Sequence, residues 1–170
     1  MRIIGIDPGY AIVGFGIVEY IGNRFDVIEF GAITTPSDIP FEERLKIISD
    51  DLSFVLDKYK PDSMAIEKLF FNTNQKTGID VAQARGVILL SAVQRNICVF
   101  EYTPLQVKQA VVGYGKAEKK QVQELTRQIL CLREVPKPDD TADALAIAIC
   151  HGHSAHSATV YQLHKGEKMR

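Results

Sequence analysis

Hydrophobic residues in the first fifth of the chain follow the spacing of β-strands. Apolar runs at residues 2–7, 12–20 and 25–34 are separated by Pro8-Gly9 and Gly22-Asn23, which are turn signals. Tight turns join antiparallel neighbours because a parallel crossover needs a longer connection. The pattern therefore predicts that these three strands form an antiparallel meander.

After this meander, the chain alternates between helical and strand-like spacing. Short apolar runs predict two more strands, at 63–67 and 97–102. Helical spacing and end signals predict five helices, at about 41–58, 76–95, 104–112, 117–132 and 140–152. Strands followed by alternating helices and strands are typical of an α/β domain with a mixed sheet. Alanines on several faces of the last helix predict that it packs closely on that sheet.

The length of 170 residues is that of one domain, which we place at residues 1–153, followed by a polar, flexible tail at 154–170. No apolar run is long enough to span a membrane, and the first residues do not resemble a signal peptide, so a cytoplasmic protein is expected. The three cysteines, Cys98, Cys131 and Cys150, lack the spacing of a metal site or a disulfide framework and are interpreted as buried thiols.

Charge is distributed unevenly, although the formal net charge is only -1. Residues 38–62 hold seven acidic and four basic side chains, whereas residues 101–137 hold seven basic and four acidic ones. A basic region within a chain of low net charge favours a localised polyanion site over indiscriminate binding.

Carboxylates stand at the ends of three apolar segments, where burial would be costly. Asp7 ends the first strand, Glu67 ends the fourth, and Asp140 and Asp143 open the last helix. A buried carboxylate requires a partner, a hydrogen bond or a metal ion. Together these side chains predict an acidic cluster for hard cations, Mg²⁺ or Mn²⁺, of which two can assist phosphodiester cleavage.

Each carboxylate also has a structural interpretation. Asp7 could cap the Pro8-Gly9 turn, and Glu67 could pair with a neighbouring lysine. Asp139, Asp140 and Asp143 could stabilise the first turn of their helix through the helix dipole.

Short motifs in a fixed order resemble the RuvC family of bacterial Holliday junction resolvases. They extend over nearly the whole chain up to His153: Gly5-Ile-Asp-Pro-Gly9, Ala65-Ile-Glu67, Gln83-Ala-Arg-Gly86, Phe100-Glu-Tyr102, Gln106-Val-Lys-Gln109, Val111-Val-Gly113, Ala117-Glu-Lys119 and Ala142-Asp-Ala-Leu-Ala-Ile-Ala148. The first motif also occurs in related nucleases, whereas the ordered set is specific.

The resemblance implies a ribonuclease H-like fold with a five-stranded mixed sheet, three antiparallel strands and then two parallel ones, flanked by helices. It implies a homodimer that cuts opposed strands of a four-way DNA junction with Mg²⁺, in recombination and repair, beside the RuvA–RuvB branch-migration machinery. The family's catalytic acids fall on Asp7, Glu67, Asp140 and Asp143, and its motif selects Asp140 over Asp139.

Candidate DNA-binding residues are basic or aromatic. Lys108 and Lys119 match basic positions of the family, and Phe70 matches its wedge aromatic, which could stack on unpaired bases. The full set is Phe70, Phe71, Lys76, Arg85, Lys108, Lys116, Lys119 and Lys120. Solvated lysines and a core aromatic pair are the alternatives.

The helix at 76–95 is the family's dimerisation element. Its candidate interface residues are Ala82, Gly86, Leu89, Leu90 and Val93, which could instead pack on their own sheet. The histidines at 151, 153 and 156 fall near a fraying helix end, where we expect no metal role.

Other functions remain open at this level. Asp7-Pro-Gly9 followed by Gly14 superficially resembles the phosphate loop of actin-like and sugar-kinase-like ATP-binding domains. A junction-binding protein without chemistry and an RNA-processing nuclease of the same fold are the other two possibilities.

Overall fold

Five strands form one mixed sheet at the centre of the molecule. The structure, a computed structural model, describes residues 1–69 and 75–155, with the side chains of 75–77 excepted. The strands are β1 Arg2–Asp7, β2 Ile12–Ile21, β3 Arg24–Thr34, β4 Ser63–Glu67 and β5 Cys98–Tyr102, in the sheet order β3-β2-β1-β4-β5. β1, β2 and β3 are antiparallel, whereas β4 and β5 run parallel to β1. The predicted sheet is confirmed.

Helices cover both faces of this sheet. They are α1 Phe41–Tyr59, α2 Gln75–Val93, α3 Pro104–Val112, α4 Lys119–Ile129 and α5 Asp139–Ser154. Alternate residues of the strands divide the core in two: one half packs against α3, α4 and α5, and the other against α1 and α2. Among the described residues, no helix combines the length and apolarity that crossing a membrane requires.

Local sequence signals set the helix ends. Thr103 caps α3, since its Oγ1 accepts a 3.2 Å hydrogen bond from Gln106 N, while Gln106 Oε1 accepts one from Thr103 N at 2.8 Å. α4 is shorter than predicted: Glu118 is still extended, and Cys131 turns into the left-handed region with φ 52°.

α5 lies with its backbone directly against β1 and β2. An added Cβ at Gly5 would lie 2.0 Å from the Ala144 carbonyl oxygen and 3.0 Å from Ala148 Cβ. Both alanines are fully buried, so the predicted close approach is confirmed. Only a glycine on the sheet and small side chains on the helix allow this separation.

Two sequence-based interpretations are wrong. Cys98 and Cys131 are exposed, and only Cys150 is buried, because the other two lie at a strand start and a helix end. His151 is not at a frayed end: α5 continues to Ser154 and buries the imidazole. Its Nε2 lies 3.0 Å from Ser63 Oγ and its Nδ1 2.7 Å from the Tyr102 hydroxyl oxygen.

Candidate active site

Asp7 and Glu67 lie side by side at the carboxyl ends of two parallel strands. β1 and β4 are neighbours in the sheet, with Ile6 opposite Ile66, so the next residue of each strand carries a carboxylate. Strand alternation points both side chains to the face that α5 covers, because Ile3 and Ala65 belong to the core on that side. The predicted neighbourhood of these two acids is confirmed.

Asp140 and Asp143 approach the same place from the first turns of α5. Both are half-buried, and the helix begins at Asp139 without a side-chain hydrogen bond at its N-cap residue, Pro138. Asp139 lies at the edge of this place: it forms a 2.7 Å ion pair with Lys137 and a longer one, at 3.7 Å, with Lys119. The first turns of α5 thus carry acidic side chains, as the helix dipole favours, and two of them, Asp140 and Asp143, also lie near Asp7.

The electrostatics of Asp7 show how close these acids are. Burial raises the pKa of Asp7 from 3.8 to about 7, with additional contributions from the negative charges of Glu67, Asp143 and Asp140. Burial, followed by the charge of Asp143, also raises the pKa of Glu67. The carboxylates thus share one poorly hydrated environment in which several negative charges are unfavourable.

Lys119 supplies the cation that faces this cluster. Its Nζ lies 2.8 Å from Asp143 Oδ2 and 3.7 Å from Asp139 Oδ2. The hydrogen bond to Asp143 raises the pKa of Lys119, and the ammonium in turn opposes the rise in the pKa of Asp7 and Glu67. A lysine at the start of α4 is therefore part of the acidic site.

The donor set fits a hard divalent cation. It consists of carboxylates, with no thiol or imidazole among them. A cation would stabilise the ionised form of Asp7, whose pKa is raised by burial and then by the neighbouring negative charges. Within residues 1–69 and 75–155, no group of three or more His, Cys, Asp or Glu side chains converges tightly enough to hold an ion as it stands. The side chain of Asp143 is directed to Lys119, which is one reason why the carboxylates do not converge on one point. The cluster thus has the chemistry of a metal site without a closed coordination shell.

A cleft of about 260 Å³ opens beside these acids. It combines an apolar floor with two carboxylates and two lysines, and its lining residues are Glu67, Pro104, Val107, Lys108, Lys119, Val122, Asp143 and Ala146. Acidic and basic side chains thus line the same cleft. Such a cleft can accept part of a polyanionic chain.

The other predicted DNA-binding residues are dispersed. Lys116 and Lys120 are exposed near the start of α4, on the side of the molecule that carries Lys119. Arg85 is half-buried and forms an ion pair with Glu101, which ties α2 to β5. Phe70 and Phe71, and the side chain of Lys76, lie outside the described residues. DNA contact by this whole group stays a prediction.

The predicted dimer helix exposes an apolar surface in the single chain. Leu90 and Val93 are exposed, while Ala82 and Leu89 are half-buried. A Cβ added at Gly86 would meet no atom within 4 Å. The face is therefore free to approach another surface closely.

Sequence reasoning missed two residues that hold the first turn of α5. Gly14 on β2 touches the backbone of Asp140, and Thr141 donates a 3.1 Å hydrogen bond to the carbonyl oxygen of Gly31. The spacing Gly14-Phe-Gly16 within a predicted strand was an available signal, because strand glycines often mark close backbone contacts.

The sequence matches known proteins over almost its full length. A family model described as "Crossover junction endodeoxyribonuclease RuvC" matches residues 3–151. The protein of that name from Alkaliphilus oremlandii is 56% identical over 163 residues, which are 96% of this chain and 99% of the relative. The one from Halothermothrix orenii is 58% identical over 154 residues, covering 91% of this chain and 93% of the relative.

Solved structures agree with this match. The structure of T. thermophilus RuvC in complex with a Holliday junction substrate is 35% identical, with a TM-score of 0.92, covering 96% of this chain and 99% of that one. The yeast mitochondrial Holliday junction resolvase has a TM-score of 0.64 at 12% identity, which shows a shared fold.

Proposed function

Because the chain belongs to the RuvC family of crossover junction endodeoxyribonucleases, we propose that it resolves four-way DNA junctions by paired, symmetric nicks. The observation that carries this proposal is the position of Asp7 and Glu67 at the ends of neighbouring strands, beside a cleft that Glu67, Asp143, Lys108 and Lys119 line. Crowded carboxylates serve metal-assisted phosphodiester hydrolysis, and the lysines serve a phosphate backbone. Homologous recombination and DNA repair are the processes that require this activity.

Asp7, Glu67, Asp140 and Asp143 are the proposed metal ligands and catalytic acids. Two Mg²⁺ ions, or Mn²⁺ in their place, would lower the pKa of a bound water and neutralise charge at the scissile phosphate. Asp7 and Glu67 hold their carboxylates on adjacent strands, which limits their movement. The water gives up a proton and its oxygen bonds to phosphorus as the bond to the 3′ oxygen breaks. The departing 3′ oxygen takes up a proton, which leaves a 5′ phosphate and a 3′ hydroxyl.

Lys119 and Lys108 are proposed to act on the substrate phosphate. Lys119 is held at 2.8 Å from Asp143 Oδ2, so its ammonium remains protonated beside the acids. There it can donate to a phosphate oxygen on which negative charge develops during cleavage. Lys108 lines the same cleft and would bind an adjacent phosphate.

The choice of a junction over a duplex requires other groups. We assign it to Phe70 and Phe71, which follow β4 and Glu67 in the chain and could stack on unpaired bases, worth roughly 1–3 kcal/mol per base. Comparing the cleavage of junction and duplex by Phe70→Ala and by Phe71→Ala identifies which of the two aromatic side chains stacks on the bases. The RuvA–RuvB branch-migration machinery is the proposed partner that delivers the junction.

Paired nicks require two active sites, so a homodimer through α2 is part of the proposal. Leu90 is 56% exposed and Ile79 is 55% exposed on that helix, and with the exposed Val93 they give α2 an apolar surface that a partner could cover. Leu90→Glu is expected to yield monomers in sedimentation experiments, whereas the matched change Phe54→Glu, at an apolar side chain 66% exposed on α1, is not. A dimer that persists in the Leu90→Glu chain would place the interface elsewhere.

The activity is tested by incubating the protein with a labelled four-way junction or a linear duplex of matched sequence, each in Mg²⁺ or in EDTA. We expect symmetric nicks only in the junction and only with Mg²⁺. Asp140→Asn should abolish nicking but retain junction binding, while Asp139→Asn should nick normally, because Asp139 is engaged by Lys137. Junction binding without any nicking by the unmodified chain would favour a binding protein without chemistry.

A further inference from the structure

Two contacts fasten the start of α5 to the sheet, and neither involves a carboxylate. Gly14 is the cross-strand neighbour of Asp7 in the pairing of β1 with β2. A Cβ at Gly14 would lie 2.0 Å from the carbonyl oxygen of Asp140 and 3.0 Å from Asp140 Cβ. The backbone of Asp140 thus lies directly against Gly14, the residue that pairs with Asp7 in the sheet.

Thr141 makes the second contact. Thr141 stands between Asp140 and Asp143 in the sequence, and its side chain is fully buried. Its Oγ1 donates a 3.1 Å hydrogen bond to the carbonyl oxygen of Gly31 on β3. This hydrogen bond restricts translation of α5 along the sheet, while the contact at Gly14 sets the distance between α5 and the sheet. Together the two contacts define where the first turn of α5 lies.

We propose that Gly14 and Thr141 are positioning residues that set Asp140 and Asp143 at the distance from Asp7 that metal binding requires. This inference rests on the proposed metal-dependent activity. Mg²⁺ demands nearly ideal octahedral geometry with ligand distances of about 2.0–2.1 Å, so a small displacement of the helix weakens binding. Residues behind the ligands typically change metal affinity by about 10- to 100-fold when they are replaced.

Thr141→Val is the main test, because it removes the hydroxyl and keeps the volume of the side chain. We expect the half-saturating Mg²⁺ concentration for nicking to rise about tenfold. Thr141→Ser keeps the hydroxyl and should restore the wild-type value. Thr126→Val is the matched control: Thr126 is also fully buried, but its Oγ1 has no hydrogen-bond partner among the described residues.

Gly14→Ala and Gly16→Ala form a second matched pair. Both add a methyl group against α5, but the one at Gly16 would meet the side chain of Leu145, at 2.5 Å from Cδ2, farther along the helix from Asp140. Both changes should lower the stability of the fold. Only Gly14→Ala should also raise the half-saturating Mg²⁺ concentration, by more than the change at Thr141 does.

A measurement of metal binding that involves neither DNA nor catalysis distinguishes misplaced metal ligands from a general loss of stability. The melting temperature of the metal-free protein is measured during titration with Mn²⁺ or Mg²⁺, since a ligand that binds the folded state raises it. Thr141→Val should need about tenfold more metal than Thr126→Val for the same rise. Equal metal requirements would overturn the positioning role. A wild-type chain with no metal response would overturn the proposed function itself, and this inference with it.

Discussion

Replacing Asp7 with asparagine is expected to stabilise the metal-free protein while removing its nicking activity. The pKa of Asp7 rises from 3.8 to about 7, first through burial and then through Glu67, Asp143 and Asp140, with only partial relief from Lys119. Asparagine has nearly the same shape and cannot ionise. The substitution therefore removes an unfavourable charge and preserves the packing.

The pKa gives the size of this effect. A tenfold change in proton affinity corresponds to 1.36 kcal/mol, so a pKa raised from 3.8 to about 7 means a cost of about 4 kcal/mol when Asp7 is ionised. Since the folded-state pKa lies above the unfolded one, stability is greatest below pH 3.8 and is lost as pH rises to about 7. For a domain of this size, about 4 kcal/mol corresponds to a melting temperature higher by about 12 °C.

Urea denaturation in EDTA, followed by circular dichroism, measures this difference directly. At pH 8, Asp7→Asn should be the more stable chain by about 4 kcal/mol, and more than half of that gain should be gone at pH 5. Asp139→Asn, which removes a half-buried carboxylate that pairs with Lys137 at 2.7 Å and with Lys119 at 3.7 Å, should bring no such gain. Equal stabilities at pH 8, or a gain that persists unchanged at pH 5, would refute the reasoning. Saturating Mg²⁺ should stabilise the wild type more than Asp7→Asn.

Three further changes test the packing and charge around the site. Gly5→Ala should cost about 3 kcal/mol of unfolding free energy or more in urea, since its methyl group would overlap the Ala144 carbonyl; an unchanged midpoint would contradict the close packing. Burial lowers the pKa of His151 from 6.5 to about 4, so the unfolding free energy of the wild type should fall by about 3 kcal/mol as pH drops from 6.5 to 4. Urea titrations at a series of pH values measure this loss, which should be absent in His151→Gln. Lys119→Met should slow nicking about 100-fold and reduce the salt dependence of junction binding; unaltered single-turnover rates would exclude Lys119 from the chemistry.

Much of the fold is predictable from the sequence because its elements are locally encoded. The turns at Pro8-Gly9 and Gly22-Asn23 force antiparallel neighbours, and Thr103 with Pro104 defines the start of a helix. Where a tertiary contact overrode the local signal, the prediction was wrong. His151 lies in a stretch that reads as a frayed end, yet Ser63 and Tyr102 hold its imidazole inside the core.

The ion pair of Arg85 is another contact that local sequence does not indicate. DNA binding by Arg85 stays a prediction, and the structure adds that its guanidinium forms an ion pair with Glu101 on β5. Sixteen positions separate these two residues in the chain. No local sequence pattern predicts such an ion pair, because the pair forms only where one face of a helix packs against a particular strand.

The sequence by itself identified Asp7, Glu67, Asp140 and Asp143 as candidate acids and placed each at the end of a strand or the start of a helix, because apolar periodicity and turn signals are local properties of the chain. That β1 and β4, which end in Asp7 and Glu67, are neighbours in the sheet is a tertiary property. Only the tertiary structure decided how near Asp140 and Asp143 come to them. That distance depends on the contact of Gly14 with the backbone of α5, more than a hundred residues away in the chain, and on the bond from Thr141 to Gly31. The physical reason is that a residue type specifies what a side chain can bind, whereas a distance between elements results from packing across the whole domain.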